Sequence, residues 1–289
     1  MPLFTVPPHP KKIFSVPNSP HKGINHVSQH QSFKMQLGLE GKVVLVTGGT
    51  KSIGLCIVKS FLQEGAIVHF CSRTASEVTS TQETLSSVYG AGKVQGHTVD
   101  VGNAEQVSQW VKESATLSGR IDVVVSNVSA LSVANTRQSW DATYQTDMMG
   151  TYTLIDSALP YLKESKGNVV AISTVSGRYV DFTAPSPYGA IKAALIHYIS
   201  QLAHTLAPHG VRANSVSPGN IYVADGFWGQ AEKDMPELFQ KQLEANPMGR
   251  MGKPEEVADS VVWLASKKAS FVSGTNLLVD GAVSPGVQF

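Results

Sequence analysis

The chain has 289 residues, 42% of them apolar and only 16% charged, and its 23 basic against 22 acidic residues leave a formal charge of +1. A near-neutral chain of ordinary aromatic content has enough apolar surface for a sizeable core, which excludes wholesale disorder and nucleic-acid binding through bulk charge. No apolar run approaches the roughly 18 residues of a membrane span, since the longest, such as Val43 to Val46, are strand-sized. Two cysteines, Cys56 and Cys71, cannot make a disulfide framework, and no charged-then-apolar leader precedes them. A reducing, cytoplasmic setting is therefore expected, with both thiols as buried fillers.

Residues 1–39 carry four Lys and no acid, leaving 19 basic and 22 acidic residues, a net −3, in the remainder. The same stretch holds six of the 15 prolines and four of the nine histidines, with no amphipathic period. Residues 1–38 are accordingly expected to form a flexible tail ahead of one domain at 39–289. Organelle transit peptides share the low acid content, but the tail has no Arg and its prolines would interrupt the helix such peptides need. His9, His21, His26 and His30 have no Cys or acid among them at ligand spacing, so no metal site is expected.

From about residue 39, β-branched runs alternate with longer helical patterns, the signature of parallel βαβ units. Strands are predicted at Val43 to Thr47, Ile67 to Ser72, Val94 to Val99, Ile121 to Ser126, Asn168 to Ser173, Val211 to Val216 and Asn276 to Val279. Seven apolar strands fit a single α/β domain, a doubly wound sheet covered on both faces. A helix is predicted over Ile53 to Gly65, with Ile57, Val58, Phe61 and Leu62 on one stripe and Gly65 as its stop; Pro254 opens another.

The first strand runs into TGGTKSIG, Thr47 to Gly54, and then into that helix. Glycines allow a tight turn and close approach to a pyrophosphate, and a helix N-terminus offers free N–H groups and a positive dipole end. Gly48, Thr50, Ser52, Ile53 and Gly54 are the candidate phosphate contacts. An NAD site would place an acid at the end of the second strand, where Ser72, Arg73 and Thr74 stand instead. Arg73 and Lys51 suit a 2′-phosphate, so NADP(H) is the expected cofactor, although both charges are also compatible with plain solvation. Asp100 and Val101 end the third strand, where a carboxylate and the next backbone group can read an adenine.

YGAIK, Tyr188 to Lys192, opens a long apolar helical pattern, and its i to i+4 spacing puts phenol and ammonium on one face. A nearby cation lowers a phenol's pKa, so the pair can exchange a proton with a carbonyl or alcohol. Taken alone, such a pair is common on solvated helices. With TGGTKSIG, the Asp100 turn, SNVS at Ser126 to Ser129 and SPG at Ser217 to Gly219 in order, however, residues 41–289 resemble the short-chain dehydrogenase/reductase family. The resemblance implies a seven-stranded Rossmann-type sheet, a nicotinamide cofactor, hydride transfer and a homotetramer or homodimer. It implies Tyr188 as general acid/base and Lys192 as the residue that holds the nicotinamide ribose and tunes the phenol. Helices near Trp140 to Leu162 and Tyr188 to Pro208 are the implied subunit faces.

Departures from the family pattern are informative. The usual Ser after the fifth strand aligns with Thr174, which keeps the hydroxyl, with Ser173 or Ser176 as substitutes if the register shifts. The usual Asn of the proton relay aligns with Asp147, whose carboxylate either disturbs that relay or pairs with Lys192 directly. Ser52 replaces the middle loop glycine, SNVS replaces NNAG while keeping Asn127 as a strut, and Val223 stands where Thr is frequent beyond SPG. Pro218, Gly219 and Ile221 remain as backbone contacts to the nicotinamide side.

Residues 220–240, within a region of about 219–250, resemble the family's substrate lid. Tyr222, Phe227 and Trp228 there suggest a bulky, flat or apolar small molecule, or else packing of the lid itself, and Arg178, Tyr179 and Asp181 can polarise the pocket. The leading expectation is an NADPH-dependent ketone reductase or secondary-alcohol dehydrogenase. A non-redox isomerase, dehydratase or cyclase of a specialised biosynthetic pathway, and an NADPH-binding regulatory protein, are the alternatives.

Overall fold

A computed structural model describes residues 36–286 of the protein. The expected tail, with its four histidines, lies almost wholly outside the described residues. Leu37 already packs against the core, and its carbonyl accepts a hydrogen bond from the Lys267 N–H.

Seven strands form one all-parallel sheet in the order β3-β2-β1-β4-β5-β6-β7. They are β1 (Val43–Thr47), β2 (Ile67–Ser72), β3 (Val94–Thr98), β4 (Val123–Ser126), β5 (Asn168–Ile172), β6 (Arg212–Pro218) and β7 (Asn276–Val279). Successive β1 residues face opposite sides: Val44 and Val46 join Ile57, Phe61 and Val261 in one core, while Val43 and Leu45 join Trp110, Leu154 and Leu195 in the other. Burial on both faces is why β1 and β4 read as continuous apolar runs rather than alternating ones. Helices α1 (Ser52–Gln63), α2 (Ala75–Tyr89), α3 (Ala104–Ser118), α4 (Arg137–Thr143), α5 (Gly150–Ser165), α6 (Pro187–Leu206), α7 (Phe227–Asp234), α8 (Pro236–Glu244) and α9 (Pro254–Ala265) complete the chain.

Strand order reverses between β1 and β4, so the loops after β1, β4, β5 and β6 meet at the carboxyl edge, where open α/β sheets bind ligands. The ends of α1, β3, β5 and β6 shift by one or two residues from expectation, and two further elements differ. β4 starts at Val123, because Asp122 just before it clamps Lys42, Arg120 and the Val43 N–H with its carboxylate. The helix expected over Trp140 to Leu162 is broken by a π-helical turn, Tyr144–Met149, between α4 and α5. Among the described residues no helix is long and apolar enough to cross a membrane.

Candidate active site

The loop after β1 is built by close approach. Gly48 has φ +69°, a Cβ on Gly49 would come within 2.6 Å of Phe70, and one on Gly54 within 1.9 Å of the Gly48 carbonyl oxygen. Ser52 takes φ +53° where the family places glycine, so the turn is kept at the cost of a strained residue. α1 has no side-chain cap at Lys51 and no acid in its first turn, so its first amides remain free for an anion. This cradle fits a dinucleotide pyrophosphate. Asn127 is the strut that the sequence suggested: its amide donates to the Thr47 carbonyl at 3.0 Å and to that of Gly48 at 3.3 Å.

At the end of β2, Arg73 is exposed and Thr74 caps α2 without a side-chain hydrogen bond. Lys51 lies 3.8 Å from Glu77, whose other oxygen accepts from the Thr50 hydroxyl at 3.1 Å, a neighbour not anticipated from the sequence. Asp100 is exposed and Val101 buried. Gly219 donates to Val279 and leaves no space for a side chain beside Asp280. Ile221 bridges Gly252 through bonds made by Asn220 and Tyr222, so its own N–H and C=O point away from that pairing.

Pro187 opens α6, and the following turns carry Tyr188 and Lys192 on one face. The short turn Val175–Gly177 packs directly on them, because a Cβ on Gly189 would lie 2.6 Å from the Ser176 carbonyl and one on Gly177 would lie 3.0 Å from the backbone at Lys192. Thr174 is thereby set beside the Tyr188 phenol. Lys192 is only 2% exposed, and its Nζ donates to the Ile172 carbonyl at 3.0 Å and to Asp147 at 3.1 Å.

Asp147 itself is fully buried. It lies in the π-helical turn, whose displaced Asp147 carbonyl accepts from the Thr151 hydroxyl at 2.6 Å. Its carboxylate also accepts from the Ser129 hydroxyl and the Ala130 N–H, each at 2.7 Å. The Ser129 contact escaped the sequence reading, yet its signal was present. Ser in place of the Gly of NNAG and Asp in place of Asn meet in this one hydrogen bond, the hydroxyl donating to the carboxylate.

Burial pushes the Tyr188 phenol up to about 12 against the pull of the Thr174 hydroxyl, and the Asp147 and Asp181 carboxylates add to the rise. The lowering expected from Lys192 does not occur, because the ammonium is directed at Asp147. At neutral pH Tyr188 is therefore a phenol.

A cavity of about 220 Å³ lies nearby, lined by Tyr179, Asp181, Asn220 and Gln242 with Val175, Phe182 and the chain's Val283 to Pro285. Arg178 is exposed, its guanidinium 5.6 Å from the Tyr179 ring. Trp228 meets Phe227 edge-on and Phe239 and Phe182 at a tilt, and Tyr222 packs on Phe239 while donating to Glu232 at 2.6 Å. These lid aromatics form a small core of their own.

A family model described as enoyl-(acyl carrier protein) reductase matches residues 48–284. The chain is 39% identical to isoepoxydon dehydrogenase of Penicillium expansum over 87% of this chain and 98% of that protein. It is 36% identical to L-fucose dehydrogenase of Mus musculus over 85% of this chain and 89% of that one. The crystal structure of gox2181 aligns with a TM-score of 0.77 at 32% identity, covering 86% of this chain and 97% of that one. L-Sorbose reductase from Gluconobacter frateurii, solved with NADPH and L-sorbose, shares the fold with a TM-score of 0.79 at 24% identity, covering 88% and 100%. The chain belongs to the short-chain dehydrogenase/reductase family, and its class is that of oxidoreductases acting on CH–OH and C=O groups.

Proposed function

We propose that this protein is an NADPH-dependent reductase of a small ketone, running also in reverse as a secondary-alcohol dehydrogenase. The observation that carries the reading is the packing of the turn after Thr174 onto the part of α6 that holds Tyr188 and the buried Lys192, at the sheet edge that also presents the glycine cradle. Residues 48–54 would hold the pyrophosphate, Asp100 and Val101 the adenine, and Arg73 with Lys51 and Thr74 the 2′-phosphate. Asn127, Pro218, Gly219 and Ile221 would line the nicotinamide side. An ammonium has three N–H groups, and Ile172 and Asp147 take two of those on Lys192, which leaves one for the ribose hydroxyls. When bound, the cofactor supplies the hydride.

Tyr188 gives its proton to the carbonyl oxygen, Thr174 orients that oxygen by hydrogen bonding, and Asp147 fixes the Lys192 side chain. The polar groups of Tyr179, Asp181, Asn220 and Gln242 on the walls of the neighbouring cavity support a partly hydroxylated substrate. The bulky aromatic substrate suggested by Tyr222, Phe227 and Trp228 has less support, since Tyr222 packs on Phe239 and Phe227 on Trp228. Exposed Trp140 on α4, Tyr144 in the π-helical turn and Tyr152 on α5 support a homodimer or homotetramer through that region, and a cytoplasmic location is part of the same reading.

The test is NADPH consumption against a panel of hydroxylated and aryl ketones, with Tyr188→Phe as control. Consumption abolished by that substitution is the expected result. Cofactor-independent turnover would replace this reading with an isomerase, dehydratase or cyclase, and binding of NADPH with no Tyr188-dependent turnover of any panel member would defeat it.

A further inference from the structure

Each reduction removes the Tyr188 proton, which must be replaced before the next. This inference rests on the reading of Tyr188 as that donor. On the Lys192 side the hydrogen bonds lead inward. Asp147 is fully buried and receives Lys192, Ser129 and Ala130, and the Ser129 hydroxyl in turn accepts the Leu131 N–H at 3.2 Å. That cluster is anchored on the fully buried Asp147 carboxylate and ends in the backbone amides of Ala130 and Leu131, by way of the half-buried Ser129 hydroxyl.

On the other side a chain of hydroxyls leads outward. Thr174 contacts the Tyr188 phenol, its Oγ1 donates to the Ser176 Oγ at 3.4 Å, and Ser176 donates to the Asp181 carboxylate. The second Asp181 oxygen is held by the Thr183 N–H at 2.9 Å and the Thr183 hydroxyl at 2.7 Å, so the carboxylate has a fixed direction. Asp181 is half-buried and lines the cavity of about 220 Å³. The Val175–Gly177 turn that carries Ser176 is pressed onto α6 at Gly189, which keeps the wire in register with Tyr188.

We propose that Asp181 is the outer end of a proton relay, Asp181 to Ser176 to Thr174 to Tyr188, that recharges the phenol after each turnover. The Tyr188 O–H bond breaks as its proton passes to the substrate oxygen. Thr174 then gives its hydroxyl proton to the phenolate, takes the Ser176 proton in its place, and Ser176 takes one from an Asp181 carboxyl loaded from water in the cavity. One proton enters at Asp181, one leaves at Tyr188, and no electrons move along the chain. In alcohol oxidation the same wire runs outward, the polarity of the bonds from Thr174 to Ser176 to Asp181.

Three variants test it. Ser176→Ala cuts the wire without changing charge, Asp181→Asn removes its terminus, and Asp181→Glu keeps an acid there. In the full-length protein, proton NMR reads the exchange of the Tyr188 phenolic proton with water, independently of cofactor. Exchange is expected to slow about tenfold or more in Ser176→Ala and Asp181→Asn and to stay near wild type in Asp181→Glu. In turnover, kcat for ketone reduction is expected to fall by a similar factor with KM little changed, and imidazole buffer is expected to restore part of it. Wild-type exchange rates in Ser176→Ala would overturn the relay. Slowed exchange with no turnover by the wild type would uphold the wire while sinking the reductase reading.

Discussion

Two lysine–carboxylate pairs in this molecule show what burial does to the same chemistry. Lys192 and Asp147 lie 3.1 Å apart with side chains 2% and 0% exposed, whereas Lys51 and Glu77 lie 3.8 Å apart and are 72% and 40% exposed. The first pair has lost its hydration, so its charges persist only because each finds partners: three donors for Asp147, two acceptors for Lys192. The second pair remains in water and adds at most about 1 kcal/mol. Burial makes one pair a fixed strut beneath α6, and exposure leaves the other adjustable at the cofactor's expected 2′-phosphate end.

The sharpest way to break that contrast is to delete each acid. Asp147→Ala strands a buried ammonium and is expected to cost about 3–5 kcal/mol in denaturant unfolding, against less than about 1 kcal/mol for Glu77→Ala. Equal losses would end the comparison. Asp147→Asn tests the electrostatic half while keeping the shape. Tyr188 is raised to about 12, partly by the Asp147 charge, so its donor form persists below that value and its base form grows as pH rises toward it. Reduction should therefore be flat through neutral pH and alcohol oxidation should climb with pH. With the carboxylate gone, both alkaline limbs should move to lower pH in steady-state profiles, and unmoved limbs would show that Asp147 does not act on the phenol.

Much of this was legible beforehand because burial on both faces leaves a plain imprint. β1, β2 and β7 fall on the predicted residues, since runs such as VVLVT and IVHFCS have no other use in a covered parallel sheet. That Tyr188 and Lys192 share a helical face was readable from i, i+4 spacing, whereas their roles and the Asn127 strut came only from the family resemblance. What escaped depends on contacts that no period encodes. The π-helical turn changes the helical register at Asp147, so neither its direction nor its bond to Ser129, 18 positions earlier, follows from a 3.6-residue repeat. Ser176 and Asp181 meet because the loop between them folds back, and Glu77 meets Lys51 across two elements. The lid aromatics were ambiguous for a related reason: a cluster of rings is written alike whether it faces a ligand or itself.

The exposed end yields the smaller effects. Arg73→Asp is expected to weaken NADPH by about 1.5–3 kcal/mol, the size of a charge-assisted hydrogen bond, and to leave NADH nearly untouched in fluorescence titrations. Equal wild-type affinities for the two cofactors would refute the 2′-phosphate assignment.

Glu77→Gln probes the same end from the opposite sign. Glu77 holds one oxygen on Thr50 and the other toward Lys51, so it competes with an incoming phosphate for the cation and adds repulsion of its own. Removing its charge should tighten NADPH about two- to fivefold at low salt, a fraction of 1 kcal/mol, because a half-exposed carboxylate is well screened. The gain should vanish near 1 M salt, where the screening length is about 3 Å, shorter than the pair itself. NADH, lacking the phosphate, should respond to neither change. A gain that survives high salt, or one shared by NADH, would mean that Glu77 shapes the loop through its hydrogen bond to Thr50 rather than tuning the charge that selects the cofactor.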